Sequence, residues 1–227
     1  MPILANISCD VDPQPLMKRA HIAPGSADAA DFERLVQTAC AAGRPKAAYR
    51  EAFIDAKGEQ TVSIEGITFT SRMLRKNLEH AERVFAYLVT CGRELDEIAP
   101  SSDDLLTAFW WDLIKGEFLA IAVRHLTEHL DRKHLLPQTS TMHPGSGDAA
   151  VWPIEQQREL FALLGDVPDQ IGVELTDTCL MIPNKTVSGI RFPTETSFRS
   201  CQVCRRPACP NRAAAFDEAL WASVWHE

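Results

Sequence analysis

The sequence predicts an α+β fold in which an antiparallel or mixed sheet is flanked by helices and one central helix is much longer than the others. Segments rich in β-branched and aromatic residues lie in the first and last thirds of the chain. Between them, residues 103–134 place apolar side chains three or four positions apart over many turns, which indicates one long amphipathic helix. Strands and helices do not alternate regularly, as they do around a parallel sheet, so a doubly wound fold is disfavoured.

The composition indicates a globular protein with a substantial core. The chain has 227 residues, of which 45% are hydrophobic. Its formal net charge of −8 argues against general nucleic-acid binding, which requires a basic surface. No apolar run approaches the ~20 residues that span a bilayer, and the N-terminal residues lack a basic region followed by an apolar stretch. We therefore expect a cytoplasmic protein with no membrane partner.

The N-terminal residues differ in character from those that follow. Residues 1–28 contain four prolines and little periodicity, which predicts an arm that lies across the body of the protein. The α+β body is predicted to span residues 29–192. It begins with a helix over residues 29–43, for which Asp28 or Asp31 can serve as the N-cap.

The remaining elements follow from the same periodicities. Strands are predicted over residues 46–70, as a hairpin or meander, and over residues 83–91, as one apolar run of strand length. After the long helix, another helix is predicted to begin near Pro153, and residues 171–189 are predicted to form a strand, a turn and a strand. Residues 193–227 are predicted to hold a cysteine-rich metal-binding segment and a final helix.

Three cysteines are closely spaced near the end of the chain. Cys201, Cys204 and Cys209 form a C-x2-C-x4-C array, in which the short first spacing lets one turn present two sulfurs to one point. Thiolates are soft anionic ligands for zinc and for iron–sulfur clusters. A disulfide or inert thiols are the alternatives, but close spacing in a cytoplasmic protein is more typical of a metal site or a catalytic site.

A glycine-rich loop precedes the predicted helix at Pro153. Its sequence, "HPGSGD", contains two glycines that let backbone N–H groups approach a ligand closely. The loop alone is a weak signal, because no phosphate-loop lysine follows it. His143 at its start is either a ligand contact or an ordinary surface histidine.

Two stretches in the second half of the chain carry more specific motifs. "HPGSGDAAVWPIEQQRELFALLG" and "LTDTCLMIPNKTVSGIRF" together resemble the activation domain of cobalamin-dependent methionine synthase, in particular its stand-alone relatives. The likeness extends over residues 46–192, and the "PNKTVSG" turn is its most specific part. The matching positions are Pro144, Gly145, Gly147, Asp148, Trp152, Pro153, Gln156, Leu175, Thr176, Pro183, Lys185, Ser188 and Gly189.

The resemblance implies an α+β fold and a role in returning an inactivated corrinoid to its working state. In this family the methyltransferase cycles through cob(I)alamin, which occasionally loses an electron to give inert cob(II)alamin. The activation domain binds S-adenosylmethionine over the corrinoid, so that reduction is followed by methyl transfer. The implied partner is a corrinoid-binding protein or methionine synthase core that presents the cobalamin. The implied cofactor-binding residues are Pro144, Gly145, Gly147, Lys185, Ser188 and Gly189.

The sequence departs from the family pattern in its loop and in its cysteines. The family begins the S-adenosylmethionine loop with arginine and ends it with tyrosine, whereas this chain has Thr141 and Ser146. Losing a guanidinium removes a multi-donor contact for a ligand carboxylate, which argues against S-adenosylmethionine binding. The methionine synthase domain also lacks the cysteine array, and a 4Fe–4S cluster held there can supply low-potential electrons.

These departures predict an accessory redox protein that reactivates a corrinoid methyltransferase in trans. Four thiolates are usual for a cluster, and Cys179 is the candidate fourth ligand, with buried packing as its alternative role. The alternative functions are a non-redox module that binds a corrinoid protein and holds structural zinc, and S-adenosylmethionine-dependent remethylation of the corrinoid. Lys185 either closes its turn or contacts the corrinoid. The array is flanked by cations that are either solvated or dock an acidic partner: Arg199, Arg205, Arg206 and Arg212.

Overall fold

A computed structural model describes residues 1–100, 103–136, 138–210 and 212–225 of the protein. The helices are α1 (Pro13–Arg19), α2 (Ala27–Ala42), α3 (Arg72–Asn77), α4 (Glu94–Glu97), α5 (Leu105–His134), α6 (Gln157–Leu164), α7 (Val167–Ile171) and α8 (Glu218–Trp225). The strands are β1 (Ile3–Leu4), β2 (Lys46–Lys57), β3 (Thr61–Ile64), β4 (Ile67–Thr70), β5 (Arg83–Thr90), β6 (Thr139–Met142), β7 (Glu174–Leu175), β8 (Met181–Ile182) and β9 (Thr186–Pro193). Short 3₁₀ turns span Ile154–Gln156 and Ser200–Val203.

One antiparallel sheet organises the molecule. Its strand order is β4-β3-β2-β5-β9-β6, and β1 pairs with the first half of β2. Every pair of neighbouring strands is antiparallel, while β7 and β8 form a separate small hairpin. The α+β prediction is therefore confirmed. Antiparallel pairing lets β5 and β9 lie together although about 100 residues separate them in the chain.

The long helix covers one face of the sheet. The predicted helix is present as α5, whose 30 residues begin after Asp104, and the Asp104 carboxylate accepts hydrogen bonds from the N–H groups of Leu106 and Thr107. Leu126 and Leu130 on α5 pack against Tyr87 on β5. None of the helices in the described ranges has the length and apolar character that a bilayer span requires.

The opposite face of the sheet carries the largest core cluster. Strands alternate side chains between faces, so Leu88 of β5 and Ile190 of β9 point away from α5. They pack with Leu74 of α3, Leu160 of α6 and Ile171 of α7. The sheet is thus a middle layer between α5 and these shorter helices.

The N-terminal residues contribute to both the sheet and the core. Within the predicted arm, Ile3 and Leu4 pair with β2, and Leu16 is only 1% exposed in a cluster with Phe32 and Trp110. The helix that follows starts at Ala27 and is capped by Ser26, whose hydroxyl accepts a hydrogen bond from the N–H of Ala29 at 3.2 Å. The prediction of Asp28 or Asp31 as the cap was wrong, because the helix begins at Ala27, two residues before the predicted start.

The C-terminal segment packs onto the main core. Phe198, Val203 and Val224 are buried in the same cluster as the sheet residues. The final helix is present as α8. Residues 211, 226 and 227 of the predicted segment, together with residues 101, 102 and 137, lie outside the described ranges.

Candidate functional site

The glycine-rich loop leaves β6 at the edge of the sheet and turns sharply. Gly145 and Gly147 have φ angles of +77° and +84°, which favour glycine. The N–H of Gly145 donates to the carbonyl of Trp152 at 2.8 Å, which closes the loop on itself. A side chain at Gly145 would lie 3.0 Å from Ile154. The loop conformation therefore depends on these two glycines.

The loop is fastened to β9 at the Ser188–Gly189 pair. The imidazole Nδ1 of His143 donates to the carbonyl of Ser188 at 2.9 Å. A Cβ at Gly189 would lie 2.6 Å from the Met142 carbonyl and 2.8 Å from His143 Nδ1. The Ser188 hydroxyl points to the other face and donates to Gln157 at 2.6 Å. The absence of a side chain at Gly189 thus makes room for the histidine.

The cysteine turn lies against the same loop. A Cβ at Gly147 would be 3.4 Å from the carbonyl oxygen of Ser200 and 3.6 Å from the Cβ of Cys204. The guanidinium of Arg212 donates to the carbonyls of Cys201 and Cys204 at 3.1 and 3.2 Å, which holds the turn in place. The structure therefore brings Gly147 next to the turn that carries Cys204.

Two cavities meet beside this loop. One, of about 230 Å³, lies between α5 and the sheet and has apolar walls from Val123, Leu126 and Leu130. The other, of about 440 Å³, extends from β6 to the cysteine turn and is lined by hydroxyl groups and Cys201. The residues that line both cavities are Thr141, His143 and Arg191.

Arg191 is the main charged group at this junction. Its Nη2 donates to Asp131 Oδ1 at 2.7 Å, and the Arg191 side chain is 12% exposed. Its Nε is buried and has no hydrogen-bond partner among the described residues. In the described part of the chain no carboxylate lines either cavity, whereas the larger cavity is also lined by Arg199. The junction therefore favours an anionic group.

The neighbouring titratable side chains are neutral at physiological pH. Burial lowers the pKa of His143, although its hydrogen bond to Ser188 opposes this shift. Burial raises the pKa of Tyr87, whose hydroxyl lies 3.3 Å from His143 Nδ1. A neutral histidine and a neutral tyrosine leave Arg191 as the permanent charge between the cavities.

Lys185 lies away from the loop. It precedes β9, four residues before Gly189, which corresponds to about 13 Å along a strand. Its ammonium group forms a 2.7 Å ion pair with Asp112 of α5, and its carbonyl accepts from the N–H of Cys91 at 3.0 Å. These contacts favour the role of closing the turn.

The four predicted metal ligands are not gathered in this structure. No group of three or more His, Cys, Asp or Glu side chains within the described ranges is arranged to hold a metal ion. The Cys201 thiol accepts a hydrogen bond from the N–H of Ala213 at 3.4 Å. Cys179 is 3% exposed in the turn of the β7–β8 hairpin, where its N–H donates to Thr176. Within the described ranges these cysteines are therefore not arranged around one common centre.

Two of the four arginines around the cysteines make intramolecular contacts. Arg205 lies 3.5 Å above the ring of Trp221, in cation–π geometry. Arg212 is bound to backbone carbonyls, whereas Arg199, Arg205 and Arg206 are exposed. Three exposed cations are therefore available to the solvated or docking surface predicted for this region.

Sequence reasoning missed two residues of the site, Arg191 and Tyr87. Both point to the α5 face, as does Thr141, which is directly opposite Arg191 in the β6–β9 pair. The signal for Arg191 was a cation at an inward position of the strand "TVSGIRFP", next to the Ser-Gly motif. Recognising it requires the pairing of β6 with β9, which the sequence does not state.

The fold and the site define an α+β module whose loop, strand pair and cysteine turn form one binding edge. Residues 123–204 match the family model described as the activation domain of vitamin B12-dependent methionine synthase. This match spans α5 from its middle, the loop, β9 and the first two clustered cysteines. Over these residues the chain is similar to the methionine synthase activation-domain family.

Solved structures share the fold. The crystal structure of the MetH reactivation domain bound to AdoHcy superposes with a TM-score of 0.54 and 14% sequence identity, covering 85% of this chain and 73% of that chain. Thirteen chains of solved structures match in all. Comparison with curated proteins found no match.

Proposed function

We propose that this protein reactivates the corrinoid of a methyltransferase in trans, with an S-adenosyl ligand bound at the loop. The match of residues 123–204 to the activation-domain model supports the corrinoid role, and the similar structure contains AdoHcy. The observation that carries the proposal is the meeting of the glycine loop, the Ser188–Gly189 pair and two cavities at one edge of the sheet.

The proposed reaction is a reduction followed by a methyl transfer. An external one-electron reductant converts the partner's cob(II)alamin to cob(I)alamin. The cobalt electron pair then attacks the methyl group of S-adenosylmethionine, so that a Co–C bond forms, the S–CH₃ bond breaks and S-adenosylhomocysteine leaves. The protein supplies orientation and a site from which water is excluded.

A labelled-methyl experiment tests this function. The partner methyltransferase in its cob(II)alamin form is mixed with the protein, a one-electron reductant and methyl-labelled S-adenosylmethionine. We expect label on the corrinoid and equimolar S-adenosylhomocysteine, neither of which forms when the protein is omitted. No transfer of label with the intact protein would contradict the proposal.

A pair of glycine variants locates the activity at the loop. Gly147→Val adds a side chain at φ +84° against the cysteine turn and should abolish label transfer. Gly25→Val is the matched control, because its φ is +77° but nothing lies within 4 Å of the added Cβ. Equal activity of the two variants would place the reaction elsewhere.

A metal centre at the cysteines remains a separate proposal. Its ligands are Cys201, Cys204 and Cys209, with Cys179 as the fourth, and its support is the spacing of the array and its position beside the loop. Iron and zinc are measured in protein purified without oxygen. We expect metal in the wild type and in the control Cys40→Ser, and none in Cys204→Ser. A brown colour that dithionite bleaches identifies an iron–sulfur cluster. Wild-type protein that contains neither iron nor zinc contradicts the metal centre.

A further inference from the structure

We infer that Arg191 binds the carboxylate of the S-adenosyl ligand and so replaces, from the neighbouring strand, the arginine that is absent at position 141. The inference rests on the proposed function, because it assigns a residue to the same ligand. It concerns Thr141, the position at which the loss of an arginine argued from sequence against such a ligand.

The register of the sheet places the two positions together. Thr141 of β6 and Arg191 of β9 are directly opposite each other. Directly opposite side chains in an antiparallel pair project from the same face, with Cβ atoms about 4.5–5.5 Å apart. The guanidinium of Arg191 on β9 can therefore reach the space that a longer side chain at position 141 would occupy.

The state of the Arg191 guanidinium leaves a donor for a ligand. Asp131 engages Nη2, and the Asp131 side chain is 41% exposed, so water screens this ion pair. The buried Nε–H has no acceptor within the described residues. An unpaired buried donor is unfavourable, and a ligand oxygen that reached the Nε–H would remove this cost.

The surroundings of Arg191 select for a carboxylate. The two cavities that it lines contain no Asp or Glu among their described lining residues. Thr141 and the neutral Tyr87 and His143 offer hydrogen bonds without a competing negative charge. A ligand with an amino-acid end and an uncharged nucleoside matches a junction of one polar and one apolar cavity.

Two ligands separate the carboxylate contact from the rest of the site. S-adenosylhomocysteine carries the amino-acid carboxylate, and methylthioadenosine has the nucleoside and sulfur without it. Calorimetry on the wild type should show tighter binding of S-adenosylhomocysteine. Arg191→Gln should weaken that binding about 10- to 100-fold, the usual contribution of a charge-assisted contact, and should leave methylthioadenosine binding unchanged.

Control variants distinguish a ligand role from a structural one. Asp131→Asn breaks the same ion pair but should keep the preference for the carboxylate ligand. The exchange Thr141→Arg with Arg191→Thr returns the guanidinium to the loop strand and should restore the preference.

The outcomes that overturn the inference are distinct from those that overturn the proposed function. If Arg191→Gln keeps the preference, or if Asp131→Asn loses it equally, Arg191 is not the carboxylate contact and the ligand site stands. If the wild type binds neither compound, the S-adenosyl part of the proposed function fails, and the assignment of Arg191 fails with it.

Discussion

At the scale of single residues, the site depends on the absence of a side chain at Gly189. Its neighbours within 3.0 Å of an added Cβ are a backbone carbonyl, the His143 ring and the Tyr87 hydroxyl. A backbone atom cannot move aside as a flexible side chain can. The Ser-Gly motif of the sequence therefore marks a place where a strand and a loop residue approach closely.

We expect Gly189→Ala to lower the free energy of unfolding by about 1–3 kcal/mol, because the methyl group overpacks this contact. Gly116→Ala is the control: Gly116 lies within α5 with nothing within 4 Å of an added Cβ, and alanine should stabilise the helix by about 1 kcal/mol. Urea denaturation of both variants measures the difference. If Gly189→Ala raised the free energy of unfolding as Gly116→Ala does, the close approach at Gly189 would be contradicted.

His143 makes stability depend on pH. Burial lowers its pKa in the folded protein below the ordinary value of about 6.5. As pH falls through 6.5, the unfolded chain takes up a proton that the folded protein resists, so stability is full above this pH and is lost below it.

The variant His143→Gln should therefore lose less stability than the wild type between about pH 7 and pH 5. His129 and His134 also have lowered pKa values, but they are present in both proteins and cancel in the comparison. Denaturant unfolding at several pH values measures the two slopes. Identical slopes would show that His143 does not titrate differently on folding.

At the scale of elements, the cysteine turn is held mainly by hydrogen bonds to its own backbone carbonyls. Arg212 binds two of its carbonyls, and the carbonyl of Gln202 accepts from the N–H of Asp217 at 2.8 Å. The sequence showed the spacing of the cysteines, but not that an arginine eight residues after Cys204 would fix the turn. Such contacts between irregular segments have no periodic signature.

Replacing Arg212 with methionine keeps much of the side-chain length and removes the donors. We expect Cys201 and Cys204 to react roughly tenfold faster with a maleimide, because each lost charge-assisted hydrogen bond makes opening of the turn easier by about 1 kcal/mol or more. Arg206→Met is the control, since Arg206 is exposed. Mass spectrometry of each cysteine gives the rates, and an unchanged rate in Arg212→Met would contradict the role of this side chain.

At the scale of the whole molecule, the first and the last predicted segments both contact the α+β body. The first pairs through β1 with β2, and the last buries Phe198 and Val224 in the main cluster. The sequence predicted the fold class and the long helix well, since periodicity is local. The strand order, the pairing of β6 with β9 and the burial of the terminal segments arise from contacts distant in sequence, which periodicity does not encode.

We therefore expect one cooperative unfolding transition. Tryptophan fluorescence reports on all parts, because Trp110, Trp152 and Trp221 lie in different regions of the structure. The urea midpoints from fluorescence and from far-ultraviolet circular dichroism should coincide. Two separated transitions would instead support independent folding of the predicted N-terminal or C-terminal segment.

The contact between Gly147 and the turn that carries Cys204 has a practical consequence. An added Cβ at Gly147 would lie 3.4 Å from the carbonyl oxygen of Ser200, so the loop and the turn are in van der Waals range of each other. A spectroscopic label on Cys204 should then report on the adjoining loop, and a ligand bound at the loop should alter the label's signal without touching the label.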